Sequence, residues 1–188
     1  MDPHKWFYRN NELNIKSITC MSKTDMESRV IVNMSKAYLV VRISGTADVP
    51  YWATTTMNLL KLEKKHRAVI IPEIDNTIGM LRKVQHYVAW QELDVETAKE
   101  LLDKKARKSG YKKITPEDIT ALGYKSVDEL ASALAEGKTS LTKLKPLKPW
   151  FALNPPRHGF KRSCKRLYGQ KGVLGHNKEL LVIVKRMM

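Results

Sequence analysis

A chain of 188 residues with 34 Lys and Arg against 19 Asp and Glu, net +15, and 43% apolar residues has room for one ordinary domain with an appendage and is too apolar for wholesale disorder. The charge says nothing about fold but calls for a polyanionic partner, nucleic acid first and an anionic membrane surface second. Two isolated cysteines, Cys20 and Cys164, give neither a zinc module nor a disulfide framework, no apolar run approaches the ~20 residues of a bilayer span, and MDPHKWFYRNNELNIK lacks a secretory apolar core, so a cytoplasmic protein is expected.

The charge is unevenly spread. Residues 143–188 hold 12 Lys or Arg against the single acid Glu179, residues 92–142 hold 9 basic and 10 acidic residues, and the first 91 hold 13 and 8. The specialised part is therefore the C-terminal quarter.

In chain order, residues 1–33 show no period and are expected to be a disordered extension or the product of a start codon assigned too far upstream; Trp6, Phe7 and Tyr8 are the one cluster that argues for an arm docking on a partner. Ala37 to Ile43 reads as a buried strand with Arg42 pointing off it, and Gly45 to Val49 as a turn. Pro50 then opens a helix with Trp52, Thr56, Leu59 and Leu60 at helical spacing, ending in Lys64, Lys65, His66 and Arg67. Ala68 to Ile71 reads as a second strand closed by Pro72. Asp75, Asn76 and Thr77 offer caps for a second helix whose Ile78, Leu81, Val84 and Val88 share a face, with Met80 and Tyr87 on another.

That makes βαβα over residues 34–92. A helical insertion over 93–145 follows: an amphipathic helix from Asp94 to Arg107, a helix opened by Thr115-Pro116-Glu117-Asp118, and another opened by Ser126-Val127-Asp128-Glu129 and closed by Gly137. With near-zero net charge, its expected role is packing. Residues 146–188 would supply the third strand (Trp150 to Leu153, cut off by Pro155-Pro156), a basic arm, and a C-terminal apolar helix capped by Asn177.

No Walker A loop, GxGxxG, HExxH, GxSxG or paired CxxC occurs, and the five histidines have no evident catalytic partner, so no enzyme, metal or cofactor is expected. His158, Cys164 and His176 match no zinc spacing. Gly169, Gly172 and Gly175 read as a flexible loop. The positive signal is the arm. Between Arg157 and Lys171 lie Arg157, Lys161, Arg162, Lys165, Arg166 and Lys171, with His158 and no acid, and Phe160 and Tyr168 interleave as groups able to stack on unpaired bases.

From residue 37 onward the chain resembles the archaeal and eukaryotic-type long form of the large-subunit ribosomal protein L-thirty family. Three stretches carry the resemblance: VVRISGTADVPYWATTTMNLLKL (Val40 to Leu62), similar to the family's strand, glycine turn and Pro-initiated helix; GMLRKVQHYVAW (Gly79 to Trp90), similar to its most recognisable helix; and LNPPRHGFK (Leu153 to Lys161), similar to the third strand and Pro-Pro-Arg-x-Gly element of the non-bacterial branch. One departure is Gln91, where the family often has Gly after the Trp. Residues 1–33 have no counterpart in it, which points to Met34 as the natural start.

The resemblance implies an α+β fold: a βαβαβ ferredoxin-like core with a three-stranded antiparallel sheet, its first strand central and two helices on one face, a helical insertion before the third strand, and a basic C-terminal extension. It implies a non-enzymatic constituent of the large ribosomal subunit that contacts 23S rRNA, the neighbourhood of 5S rRNA and neighbouring ribosomal proteins. The contacts it implies are Arg42, Ser44 and Thr46 at the first turn, Lys61, Lys64, Lys65 and Arg67 after the first helix, Lys83 on the second, and the arm from Arg157 to Lys171. A free-standing RNA-binding regulator on the same fold is the alternative. An RNA-modifying enzyme would need a cofactor loop or catalytic cluster that the sequence lacks.

Overall fold

The computed structural model describes residues 36–188, so the expectations for residues 1–33 lie outside the described residues. The chain runs β1 (Ala37–Arg42), α1 (Tyr51–Leu59), β2 (Arg67–Pro72), α2 (Asp75–Lys83), β3 (Val88–Glu92), α3 (Val95–Lys105), α4 (Pro116–Ala121), α5 (Val127–Ala135), β4 (Phe151–Ala152), β5 (Ser163–Leu167), β6 (Gly172–His176) and α6 (Leu180–Met187). The strands form one six-stranded sheet in the order β4-β2-β1-β3-β6-β5. β1 pairs antiparallel with β2 and β3, β2 antiparallel with β4, and β6 parallel with both β3 and β5.

β1 is almost continuously apolar because both sheet faces are covered, and its alternation divides it between two cores. Leu39 and Val41 join Ala68, Ile70 and Ala89 under α3, α5 and α6, through side chains such as Leu101, Leu134 and Val184. Val40 joins Val69 and Val88 under α1 and α2, through Met57 and Leu81.

Three expectations are corrected. The sheet has six strands rather than three. The third strand is Val88–Glu92, ahead of the helical segment, because the second helix stops at Lys83 and the chain turns back to pair with β1, Arg42 opposite Val88. Trp150 to Leu153 does hold a strand, but it is the two-residue edge strand β4. The basic arm is likewise not an appended extension: residues 163–176 build β5 and β6, and Val173 and Leu174 are in the core.

The caps expected for α4, α5 and α6 form. The Asp118 carboxylate accepts from the Thr115 hydroxyl at 2.6 Å and its N–H at 2.8 Å, and Ser126 accepts from the Glu129 N–H. Gly137, at φ 68, ends α5. Asn177 is buried, donating to the Val173 carbonyl and accepting from the Glu179 N–H just before α6. By contrast, Asp75, Asn76 and Thr77 supply no side-chain cap to α2. α1 buries Ala53, Thr56 and Met57, and Leu60 just past its end is buried as well, leaving Trp52 and Leu59 outside.

Gln91, the departure noted above, is in β3, and its Oε1 accepts from the Leu181 N–H at 3.1 Å. The side chain satisfies one of the orphan donors of the first turn of α6. Gly172 is fixed by contact rather than flexibility: a Cβ there would sit 1.8 Å from the Arg166 carbonyl oxygen. Its close approach is to its own chain.

Candidate nucleic-acid interface

Strand registers gather the basic segments. Val41 opposes Ala68, Arg42 opposes Val88 and Arg67 opposes Ala152, while Gly175 of β6 sits beside Ala89 and Gly172 beside Ser163. The end of the sheet where β1 finishes is thus where β2, β3, β5 and β6 begin. The loops at that end are 43–50, 60–66, 84–87, 153–162 and the turn 168–171. They carry Ser44, Thr46, Lys61, Lys64, Lys65, Arg157, His158, Lys161 and Lys171. Of these, Ser44 is half-buried and the others are exposed. Lys83, in the last turn of α2, lies at the same end and stands 5.8 Å from the Trp52 ring.

Backbone hydrogen bonds lock these loops together. The Ile43 and Ser44 N–H groups donate to the Tyr87 carbonyl, His66 N–H to the Arg42 carbonyl, and Leu153 N–H to the His66 carbonyl. The charge of Lys65 acts on Cys164, tying this region to β5, although burial dominates and pushes the thiol up. Among the described residues six non-glycines have left-handed φ, and five of them lie here: Asp48, Lys61, His66, His158 and Lys171. Such conformations cost ~1–3 kcal/mol each and persist where the surroundings over-determine them, commonly at functional sites.

Not every expected contact residue is free. Arg42 is 2% exposed, and its guanidinium donates to the carbonyls of Ser44, Gly45, Leu62 and Glu63 at 2.7–3.1 Å. Burial lowers its pKa, yet an Arg stays charged. It is the pin between two loops rather than a surface contact, which corrects the reading of a side chain pointing off the strand.

Arg67 is also buried, ion-paired with Glu63 at 2.9 Å and stacked 4.0 Å from the centroid of Trp150. In the arm, Arg162 pairs with Glu179 at 2.8 Å and lies over the Tyr168 ring, and Tyr168 is half-buried. Lys165 and Arg166 project from the edge strand β5 and are exposed. A groove of about 270 Å³ is lined by Lys161, Arg162 and Arg186 against the single carboxylate Glu179.

Sequence reasoning missed two features. Tyr51 and Trp52, 87% and 45% exposed, sit at the start of α1; the sequence reading noted Trp52 only for its helical spacing. Trp150 was read only as part of a strand, although it supports Arg67. Among the described residues, no His, Cys, Asp and Glu side chains group to hold a metal ion, and no helix is long and apolar enough to cross a membrane.

Free cations on a fixed backbone, clustered at one end of a sheet, define a small basic α+β domain suited to docking on a folded polyanion. Comparison with known proteins makes the assignment specific. Residues 38–88 match the family described as Ribosomal protein L30p/L7e. The chain is 73% identical over 155 residues to large ribosomal subunit protein uL30 of Nitrosopumilus maritimus, covering 82% of this chain and 100% of that one. It is 61% identical to that of Cenarchaeum symbiosum over the same shares, and 41% identical to that of Staphylothermus marinus over 162 residues, again 82% and 100%. The chain belongs to the L30p/L7e family of large-subunit ribosomal proteins. That family is structural and non-enzymatic, in agreement with the sequence reading.

Proposed function

We propose that this protein is a structural constituent of the large ribosomal subunit that binds 23S rRNA, close to 5S rRNA, and helps to position folded RNA during assembly. The observation that carries the reading is 73% identity, along the whole of a relative named large ribosomal subunit protein uL30, in a chain with net charge +15. Lys61, Lys64, Lys65, Lys83, Arg157, Lys161, Lys165, Arg166 and Lys171 neutralise phosphates, while Ser44 and Thr46 offer hydroxyls to phosphate or 2′-hydroxyl groups. His158 adds a ring at the same end. Arg42 and Arg67, which are buried, and Tyr168, whose hydroxyl donates to Glu179, act through the shape of the surface, while Arg162, exposed and bonded to Glu179 through one nitrogen, keeps donors for phosphate.

Sedimentation of a lysate through a sucrose gradient tests this reading and separates it from the free-standing regulator. The protein is expected with the large-subunit peak. Its retention at the top of the gradient while large subunits are intact would refute the assignment.

A further inference from the structure

The segment between β3 and β4 is balanced in net charge, but folding sorts its charges. Four of its acids are engaged on helices: Glu96 and Glu100 face Lys185 at 3.6 and 3.5 Å, Asp128 pairs with Lys99, and Asp118 with Lys108. The connection after α3 is different. Residues 106–113 hold four Lys or Arg and no acid. Arg107 bridges to Lys113 and Lys108 to Leu147 in antiparallel fashion, and the Lys148 N–H donates to the Arg107 carbonyl at 3.0 Å. On this small ribbon Lys112, Lys113 and Lys145 are exposed, and no salt bridge involves them among the described residues.

Tyr111 stands at its tip. The residue is 63% exposed, and it follows Gly110 in two consecutive left-handed positions, φ 78 and 60. The second is strained for any residue with a Cβ. Lys148 Nζ lies 3.1 Å from the centre of its ring, and the Trp150 ring meets it edge-on at 6.2 Å. Trp150 in turn carries Arg67 at 4.0 Å, so the stack runs from Tyr111 to the loop that bears Lys64 and Lys65.

A strained backbone thus holds a large ring outward, with cations behind and beside it. A protein partner would call for apolar neighbours that exclude water around such an anchor. Here Leu144 and Leu147 are already buried, and lysines surround the tip.

We propose that Tyr111 is a stacking platform for an unpaired base of RNA, with Lys112, Lys113 and Lys145 holding the flanking phosphates. This rests on the RNA-binding function proposed above and extends the RNA-facing surface across Arg67 and Trp150 into a segment whose net charge conceals it. Aromatic stacking tolerates any base, and a ring already braced loses little freedom on binding.

The test uses the full chain and two fluorescently labelled RNA hairpins, one with a single bulged nucleotide and one fully paired, read by anisotropy. Wild type is expected to prefer the bulged RNA. Tyr111→Gly, which takes up the left-handed conformation without strain, should keep its melting temperature, lose about ten-fold in affinity for the bulged hairpin, and bind the paired one unchanged. Tyr111→Phe should keep the preference. If Tyr111→Gly binds both RNAs as wild type does, while replacing Lys165 and Arg166 by Ala weakens both, the stacking platform is overturned and the RNA-binding reading stands; a protein partner is then the occupant to seek. Equal loss on both hairpins would also overturn base stacking. A wild-type chain that binds neither hairpin overturns both readings.

Discussion

Arg42→Ala separates the residues that shape the interface from those that touch its partner. The side chain is 2% exposed and makes four hydrogen bonds to carbonyls on two loops, one of them, to Leu62, fully buried. Bonds to a charged donor contribute ~1.5–3 kcal/mol each, and a stranded buried acceptor costs ~1–3 kcal/mol. Three of the carbonyls are only partly buried and can rehydrate, so the terms do not add in full. The expected loss is about 3–5 kcal/mol, or roughly 6–20 °C in melting temperature for a domain of this size. Arg42→Lys keeps the charge but cannot span four acceptors, and should fall between. Thermal melts followed by circular dichroism measure this, with the exposed Arg166→Ala as a control expected within ~0.5 kcal/mol of wild type. An Arg42→Ala melt within about 2 °C of wild type would refute the view that this guanidinium holds the loops.

Gly172→Ala should lower the melting temperature more than Gly175→Ala. A Cβ at 172 meets a backbone oxygen at 1.8 Å, whereas at 175 the obstacle is φ +80 and a Leu167 methyl at 3.3 Å; equal effects would contradict the geometry. Asp118 carries a pH dependence. Lys108 first, then the Thr115 hydroxyl and N–H, hold its carboxyl down at about 2, below its unfolded value near 3.9. A depressed folded pKa gives stability that is present above about pH 4 and lost as the pH falls toward 2. Urea melts across that range should therefore show a shallower acid loss in Asp118→Asn than in wild type. On the arm, replacing Lys165, Arg166 and Lys171 with Ala should reduce the salt slope of RNA binding by roughly 0.7–0.9 per lost phosphate contact, with the fold intact; an unchanged slope would mean that these cations are merely solvated. Deleting the arm outright would instead unfold the sheet, since β6 puts Val173 and Leu174 in the core.

What the sequence revealed depended on how far apart the interacting residues lie. Thr115 with Asp118 and Ser126 with Glu129 are three residues apart, and both helix starts are readable from the chain alone. β3 is not. Val84 and Val88 continue the spacing of Leu81, and nothing local distinguishes a helix ending at Trp90 from one ending at Lys83. The break comes from β1, which needs a partner on its second edge and finds it from Val88 to Glu92. β5 was hidden for another reason: it is an edge strand with Lys165 and Arg166 exposed, and its half-buried Cys164 and Leu167 lie three residues apart across a register shift, so no alternation shows. The interface showed the same division. The exposed cations of the arm could be read from composition, but Arg42 and Arg67 are indistinguishable in sequence from Lys64 and Lys65, and only the fold decides which charges face inward.

That division also bears on how such a surface would work. Five left-handed residues, the carbonyls gathered by Arg42 and the shared acceptor at Tyr87 fix the backbone of loops that would otherwise have to be ordered on binding. Ordering one residue costs ~1–2 kcal/mol, so loops set during folding leave more of the phosphate attraction to appear as affinity. The long side chains on those loops stay free to adjust. A rigid frame with mobile charges suits a folded RNA, whose backbone presents a fixed contour and many equivalent phosphates. It also explains why the buried arginines matter to a surface they never reach: Arg42 sets where Ser44 and Lys61 stand, and Arg67, held by Glu63 and Trp150, joins that end of the sheet to the ribbon that carries Tyr111.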